Sequence, residues 1–178
     1  MAKTESIVLG GGCFWCLEAA YQMINGVTKV TSGYSGGTVP DPSYYAVCTG
    51  RTGHAEVVKV EFDPGIISLA DILDIFWAIH DPTTLNRQGY DVGTQYRSII
   101  FFESEGQKRI AEQSKVQVAK LWPNKIVTTI EPLKEFFPAE PEHQNYFKNH
   151  PERAYCQVVI NPKLAKLRQK FADKLLKE

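Results

Sequence analysis

Three consecutive glycines, Gly10, Gly11 and Gly12, separate a short apolar run at 5–9 from a segment with helical character at about 14–23. No other feature constrains the chain as tightly. The apolar run reads as a first strand, the glycines end it, and the helix begins immediately. A strand feeding a helix through glycines leaves the first N–H groups of that helix unpaired and open to a neighbouring molecule. Everything that follows must build a sheet around this junction.

The rest of the chain supplies the elements. Asn25-Gly26 is a turn signal, and 27–34 reads as a strand. A loop at 35–41 carries Gly36, Gly37 and Pro40, and 44–49 is ambiguous. The valine-rich stretch 54–62 is a third strand, ended by Pro64-Gly65. Ser68, with Asp71 three residues on, caps a helix whose apolar stripe is Leu69, Ile72, Leu73, Phe76 and Trp77. A long polar loop runs from His80 to Gln95, a length that usually serves function. Beyond it come a strand at 97–103, a helix from Ser104 to about Leu121 and a fifth strand at 126–130. An irregular stretch at 132–141, a helix at 142–149 and a last short strand at 157–160 follow. Asn161-Pro162 should cap the C-terminal helix.

The first four strands and two helices give the order βαββαβ. That predicts an α+β two-layer sandwich, a ferredoxin-like antiparallel sheet with helices on one face, plus a C-terminal extension. No repeat or linker divides the chain, so residues 1–178 are expected to form a single domain. Composition agrees: 43% hydrophobic and 22% charged residues exclude a disordered chain. Lys plus Arg number 20 and Asp plus Glu number 20, so the basic excess of a nucleic-acid binder is missing. No apolar run approaches the roughly 18 residues of a membrane span, and the N-terminus lacks the apolar centre of a signal peptide. The expectation is a cytoplasmic monomer, with no membrane and no nucleic acid among its partners.

Four cysteines then carry the chemistry: Cys13, Cys16, Cys48 and Cys156. Without an export signal, thiol chemistry is favoured over structural disulfides. Cys13 lies where the glycines meet the helix, and unpaired N–H groups and the helix dipole there stabilise a thiolate. Cys13 is therefore expected to be the nucleophile, with a lowered pKa. Cys16 is one helical turn away, on the same face, roughly 5–6 Å between Cβ atoms. A disulfide needs about 3.5–4.5 Å, so a modest distortion bridges the two. Isolated Cys48 reads as a small buried hydrophobe. Zinc would need four ligands at regular spacing. Cys48 and His54 do not supply that, so no metal and no cofactor is expected.

Phe14 and Trp15 stand between the two cysteines and can wall an apolar pocket beside the nucleophile. Alternation along the third strand puts His54, Glu56 and Val58 on one face and Ala55, Val57 and Lys59 on the other. A carboxyl on the valine side is partly buried, and burial keeps it protonated as an acid.

The segments GGGCFWC, SGYSGG, DPSYYAVCTGRTGHAEVV, FDP, HDPTTLNRQGYDVGTQYRS and EPEHQNYF occur in one order from about 7 to about 160. Together they resemble the peptide methionine sulfoxide reductases of the A type. The resemblance implies a ferredoxin-like α/β sandwich that reduces methionine S-sulfoxide, free or in oxidised proteins. It also implies a sulfenic acid intermediate, an intramolecular disulfide, and thioredoxin as the reductant, the whole serving protein repair. It places the catalytic cysteine on Cys13, the aromatic methyl pocket on Phe14 and Trp15, and the acid on Glu56. Tyr44 and Tyr96 become the ligands of the sulfoxide oxygen, and Asp91 the ligand of the substrate backbone. Two thiols are candidates to resolve the sulfenic acid: Cys16 by spacing, Cys156 by the family's habit of a C-terminal recycling cysteine. The chain departs from the family in Asp41 and Ser43, where Asn and Thr are commoner, in Tyr90, where many members have Asn, and in lacking a glycine-rich tail with two recycling cysteines.

Overall fold

Alternating apolar residues make the first strand, β1 (Glu5–Gly10), two-sided: Ile7 and Leu9 join the main core while Val8 joins a smaller cluster behind the sheet. The computed structural model describes residues 3–177. Helix α1 (Phe14–Tyr21) follows the glycines, then β2 (Val27–Ser35), a short α2 (Tyr44–Cys48), β3 (Ala55–Phe62) and α3 (Leu69–Ala78). Two short strands, β4 (Arg87–Gln88) and β5 (Asp91–Val92), form a separate hairpin. The later elements are β6 (Ile99–Phe102), α4 (Glu105–Ala119), β7 (Thr129–Pro132), β8 (Phe137–Pro138), α5 (Tyr146–Asn149) and α6 (Asn161–Lys170).

The sheet order is β7-β6-β1-β3-β2-β8. Its inner four strands, β6-β1-β3-β2, are antiparallel throughout, the ferredoxin-like arrangement expected from the element order. The sheet as a whole is mixed rather than antiparallel, because β7 joins β6 in parallel. The far face is also not bare. Val8, Ala55, Val57, Ile99 and Phe101 are covered there by Leu133 and Phe136 from the segment after β7.

The helix on the other face obeys its sequence pattern. Ser68 accepts from the Asp71 N–H at 3.1 Å, and the stripe Leu69, Ile72, Leu73, Phe76 and Trp77 is buried. Tyr21, fully buried on α1, donates to the Ile72 carbonyl at 2.8 Å and so ties α1 to α3.

Four expectations are corrected. The fifth strand starts at Thr129, because Val127 gives its N–H to the Pro82 carbonyl across the 81–96 loop. The strand expected at 157–160 is a π-helical turn, Cys156–Ile160, that runs directly into α6. Cys156 and Ile160, four residues apart, are both buried while Val158 between them is exposed. Helical spacing against α1 outweighs the strand preference of the Gln-Val-Val-Ile run. Asn161 therefore caps nothing. The residue before it, Ile160, is already helical, and Pro162 lies at the π-to-α junction, where a missing N–H costs little. Finally, Cys48 is exposed: α2 turns Val47 into the core in its place.

Candidate active site

Cys13 occupies the N-cap of α1 in an extended conformation, as the glycine junction requires. Gly12 has φ +93°, and a Cβ built on it would come within 2.8 Å of Gln88, so only glycine fits there. The lowered pKa expected for Cys13 is not what this position yields. Burial raises it well above an ordinary thiol, and hydrogen bonding toward Cys16 and the nearby Glu56 add to the effect. The Trp15 N–H at the helix start opposes them but is outweighed. Cys16 receives the complementary push, down to about 7, first from the Cys13 hydrogen bond and then, against its own burial, from Lys163. Desolvation beats the helix dipole at the N-cap because Cys13 is only 7% exposed.

Glu56 lies on β3 opposite Tyr34, on the main-core side of the sheet with Val58. It is 1% exposed. One oxygen accepts the Phe14 N–H at 3.2 Å; the other, Oε2, is buried with no partner. Burial lifts its pKa to about 8, so the carboxyl is protonated at neutral pH. His54 does not share this face as the alternation suggested. It precedes the strand, and its ring nitrogens engage the Gly37 N–H and the Val39 carbonyl on the Phe137 side.

Tyr44, at the start of α2, and Tyr96, at the end of a 3₁₀ turn (Thr94–Tyr96), are both pushed well above ordinary phenols. Burial is the main cause and Glu56 the next, so both stay protonated as donors. Phe14 is fully buried, whereas Trp15 is partly exposed. Trp15 is clamped from outside the first motif. It stacks on Tyr146 at 3.7 Å and 6° and donates its indole N–H to His143 Nδ1 at 3.3 Å. That bond makes Nδ1 the acceptor nitrogen, and burial lowers the pKa of His143, keeping the ring neutral. A buried carboxyl on α1, Glu18, holds this clamp by accepting the Tyr146 N–H at 3.3 Å.

Asp91 opens β5, directly after the Gly89-Tyr90 turn of the hairpin, and accepts the Tyr155 phenol on Oδ2 at 2.7 Å. The same phenol lies 3.9 Å from Cys16 Sγ and presents its ring edge-on to Trp15. Cys156 is fully buried behind it on the π turn. Glu140 completes the surround, taking the Tyr34 phenol at 2.9 Å and the Tyr44 N–H at 3.0 Å.

The structure thus gathers Cys13, Cys16, Glu56, Tyr44, Tyr96, Phe14, Trp15 and Asp91 around the start of α1. Tyr34, Glu140, His143, Tyr146 and Tyr155 were not singled out by sequence. Their signals were present only as the SGYSGG and EPEHQNYF segments and an unremarked Tyr-Cys pair. Chemically, the arrangement sets a soft nucleophile beside a neutral acid with a free oxygen, two further donors and an aromatic wall.

Comparison with known proteins agrees in family and fold. Residues 5–175 match the family described as peptide methionine sulfoxide reductase. A Pseudarthrobacter chlorophenolicus protein named peptide methionine sulfoxide reductase MsrA is 57% identical over 94% of this chain and 97% of its own. The Deinococcus radiodurans protein of the same name is 54% identical over 98% of this chain and 85% of its own. Among solved structures, reduced Mxr1 from Saccharomyces cerevisiae is 40% identical, covers 86% of this chain and 90% of its own, and superposes with a TM-score of 0.82. Mxr1 in complex with Trx2 is 31% identical, covers 81% of this chain and 85% of its own, and has a TM-score of 0.59.

Proposed function

The chain belongs to the peptide methionine sulfoxide reductase family and reduces methionine sulfoxide with thiols; we propose that Cys13 is its nucleophile and Glu56 its acid. One observation carries this reading. Beside Cys13, a buried neutral carboxyl commits one oxygen to the Phe14 N–H and keeps the other unpartnered.

A sulfoxide sulfur resists attack until its oxygen is protonated or strongly hydrogen-bonded. In our reading the free side of Glu56 gives its proton to that oxygen, while Tyr44 and Tyr96 donate to it as charge develops. Cys13 attacks the sulfur and releases its own proton to the Glu56 carboxylate, which restores the acid. The oxygen passes to Cys13, methionine leaves, and Cys13 is a sulfenic acid; substrate sulfur is reduced and cysteine sulfur oxidised by two electrons. The high pKa of Cys13 suits a thiol that stays silent until a substrate offers this exchange. Phe14 and Trp15, steadied by Tyr146 and His143, receive the S-methyl group and select the S epimer by shape. Asp91 takes a backbone N–H of the substrate.

Cys16, whose pKa in the reduced site is lowered to about 7, then attacks the sulfenic acid as its thiolate, expelling water to form a disulfide. Fully buried Cys156 is the second candidate for that step or for a later exchange. Thioredoxin is the reductant of this disulfide, a reading supported by the Mxr1–Trx2 complex. The same reading takes the chain as one catalytic domain and a cytoplasmic monomer, repairing oxidised proteins and free methionine sulfoxide. Among the described residues no helix is long and apolar enough to cross a membrane. The test is Glu56→Gln in single turnover. The amide keeps the shape but cannot deliver the proton, and sulfenic acid formation should slow by about 10²-fold or more. An unchanged rate would remove Glu56 from the mechanism.

A further inference from the structure

Gln88 has no place in the chemistry above, yet it is only 7% exposed on a two-residue strand of a surface hairpin. Its amide spans the backbone of one residue. Oε1 accepts the Asp81 N–H at 2.9 Å, and Nε2 donates to the Asp81 carbonyl. Its methylenes lie against Gly12, the residue before Cys13, close enough to forbid any side chain there. Across the ladder its register partner is Asp91. One side chain therefore joins the glycine junction, the base of the loop and the strand that carries Asp91.

The hairpin has little else to hold it against the glycine junction. Its two-residue turn places Gly89 at φ +57° and leaves Tyr90 fully exposed, so the tip has no packing. The bonds from Thr84 to Arg87, Arg87 to Gly89 and Gly93 to Asn86 all stay within the loop. Tyr155 holds Asp91, but from the C-terminal segment.

We propose that Gln88 is a positioning residue that fixes the reach from Asp91 to Cys13, and so sets the preference for sulfoxides carrying a peptide backbone over those without one. The proposal rests on Asp91 being the ligand of the substrate backbone. Cys13, Glu56 and the aromatic wall meet any methyl sulfoxide alike, whereas Asp91 is engaged only by a substrate with an N–H to give. The ratio of kcat/KM for the two kinds of substrate therefore isolates the placement of Asp91.

The test compares N-acetyl-methionine S-sulfoxide N-methylamide with dimethyl sulfoxide in the unaltered enzyme, Gln88→Met, Gln88→Glu and Asp91→Ala, with thermal melting to establish folding. Gln88→Met keeps the packing on Gly12 and loses both amide bonds. Its ratio should fall about tenfold, chiefly through the KM of the peptide substrate, the weight of one hydrogen bond to a charged acceptor. Gln88→Glu still accepts from the Asp81 N–H but turns a second acceptor toward the Asp81 carbonyl, so its ratio should fall as well. It also carries the test should the methionine variant fail to fold. Equal losses on both substrates would overturn the proposal, since Gln88 would then support the site as a whole. If Asp91→Ala lowers the ratio and the Gln88 variants do not, the proposal alone fails. If Asp91→Ala leaves the ratio unchanged, the backbone-ligand reading fails first.

Discussion

Replacing Glu56 by Gln should make this protein more stable at alkaline pH than at acid pH relative to the unaltered chain. Glu56 has an ordinary value of 4.5 and a folded value of about 8. A raised folded value means that the native state holds a proton which the unfolded chain has already lost. The carboxyl costs nothing below 4.5, and its contribution to stability is lost progressively as pH rises to about 8. At about 1.4 kcal/mol per pH unit, stability lost on going from about pH 5 to pH 8 is about 3–4 kcal/mol, on an order-of-magnitude scale. Glutamine has no such dependence. Urea unfolding of both proteins at those two pH values gives the difference directly, and any constant effect of the substitution cancels between them. The Glu56→Gln protein should gain on the unaltered one by that amount as pH rises. Parallel pH profiles would refute the reasoning, because the carboxyl would then ionise in place at no cost and would not be held neutral for catalysis.

Loss of the resolving thiol should leave one methionine per enzyme: Cys16→Ser should stop there with thioredoxin present, while Cys156→Ser continues to cycle. Product quantitation and mapping of the bridged cysteines by mass spectrometry check this, and the reverse pattern would assign recycling to Cys156. Gly12→Ala should lower stability by about 2 kcal/mol or more in denaturant unfolding, since it combines overpacking against Gln88 with a left-handed backbone. A variant as stable as the parent would show that the glycine junction yields easily.

The parts of the site legible in the sequence are those fixed by local rules. Glycines ahead of a helix place Cys13 at an N-cap, and the two-residue period of β3 turns Glu56 inward beside Val58. The direction of the Cys13 shift was not legible, because it depends on burial by segments far along the chain. Tyr146 and His143 arrive from about 130 residues away to hold Trp15, and Tyr155 from a segment whose β-branched run suggested a strand. There the four-residue spacing of Cys156 and Ile160 was the better guide, since it matches a helix facing α1. The hairpin bearing Asp91 was hidden because its strands are two residues each and its turn is flanked by polar residues. In the sheet, β7 and β8 were missed or displaced for the same reason: short edge strands take their pairing from neighbours rather than from their own pattern.

The most direct test of the account is a single turnover of reduced enzyme on methionine S-sulfoxide, without external reductant, in a protein carrying Cys16→Ser and Cys156→Ser. Dimedone is added to trap sulfenic acid, and the adduct is mapped by mass spectrometry. One methionine per enzyme should appear, with a matching dimedone adduct on Cys13, and the further change Cys13→Ser should abolish both. Methionine formed without oxidation of Cys13, or formed by the Cys13→Ser protein, would contradict the assignment of the nucleophile.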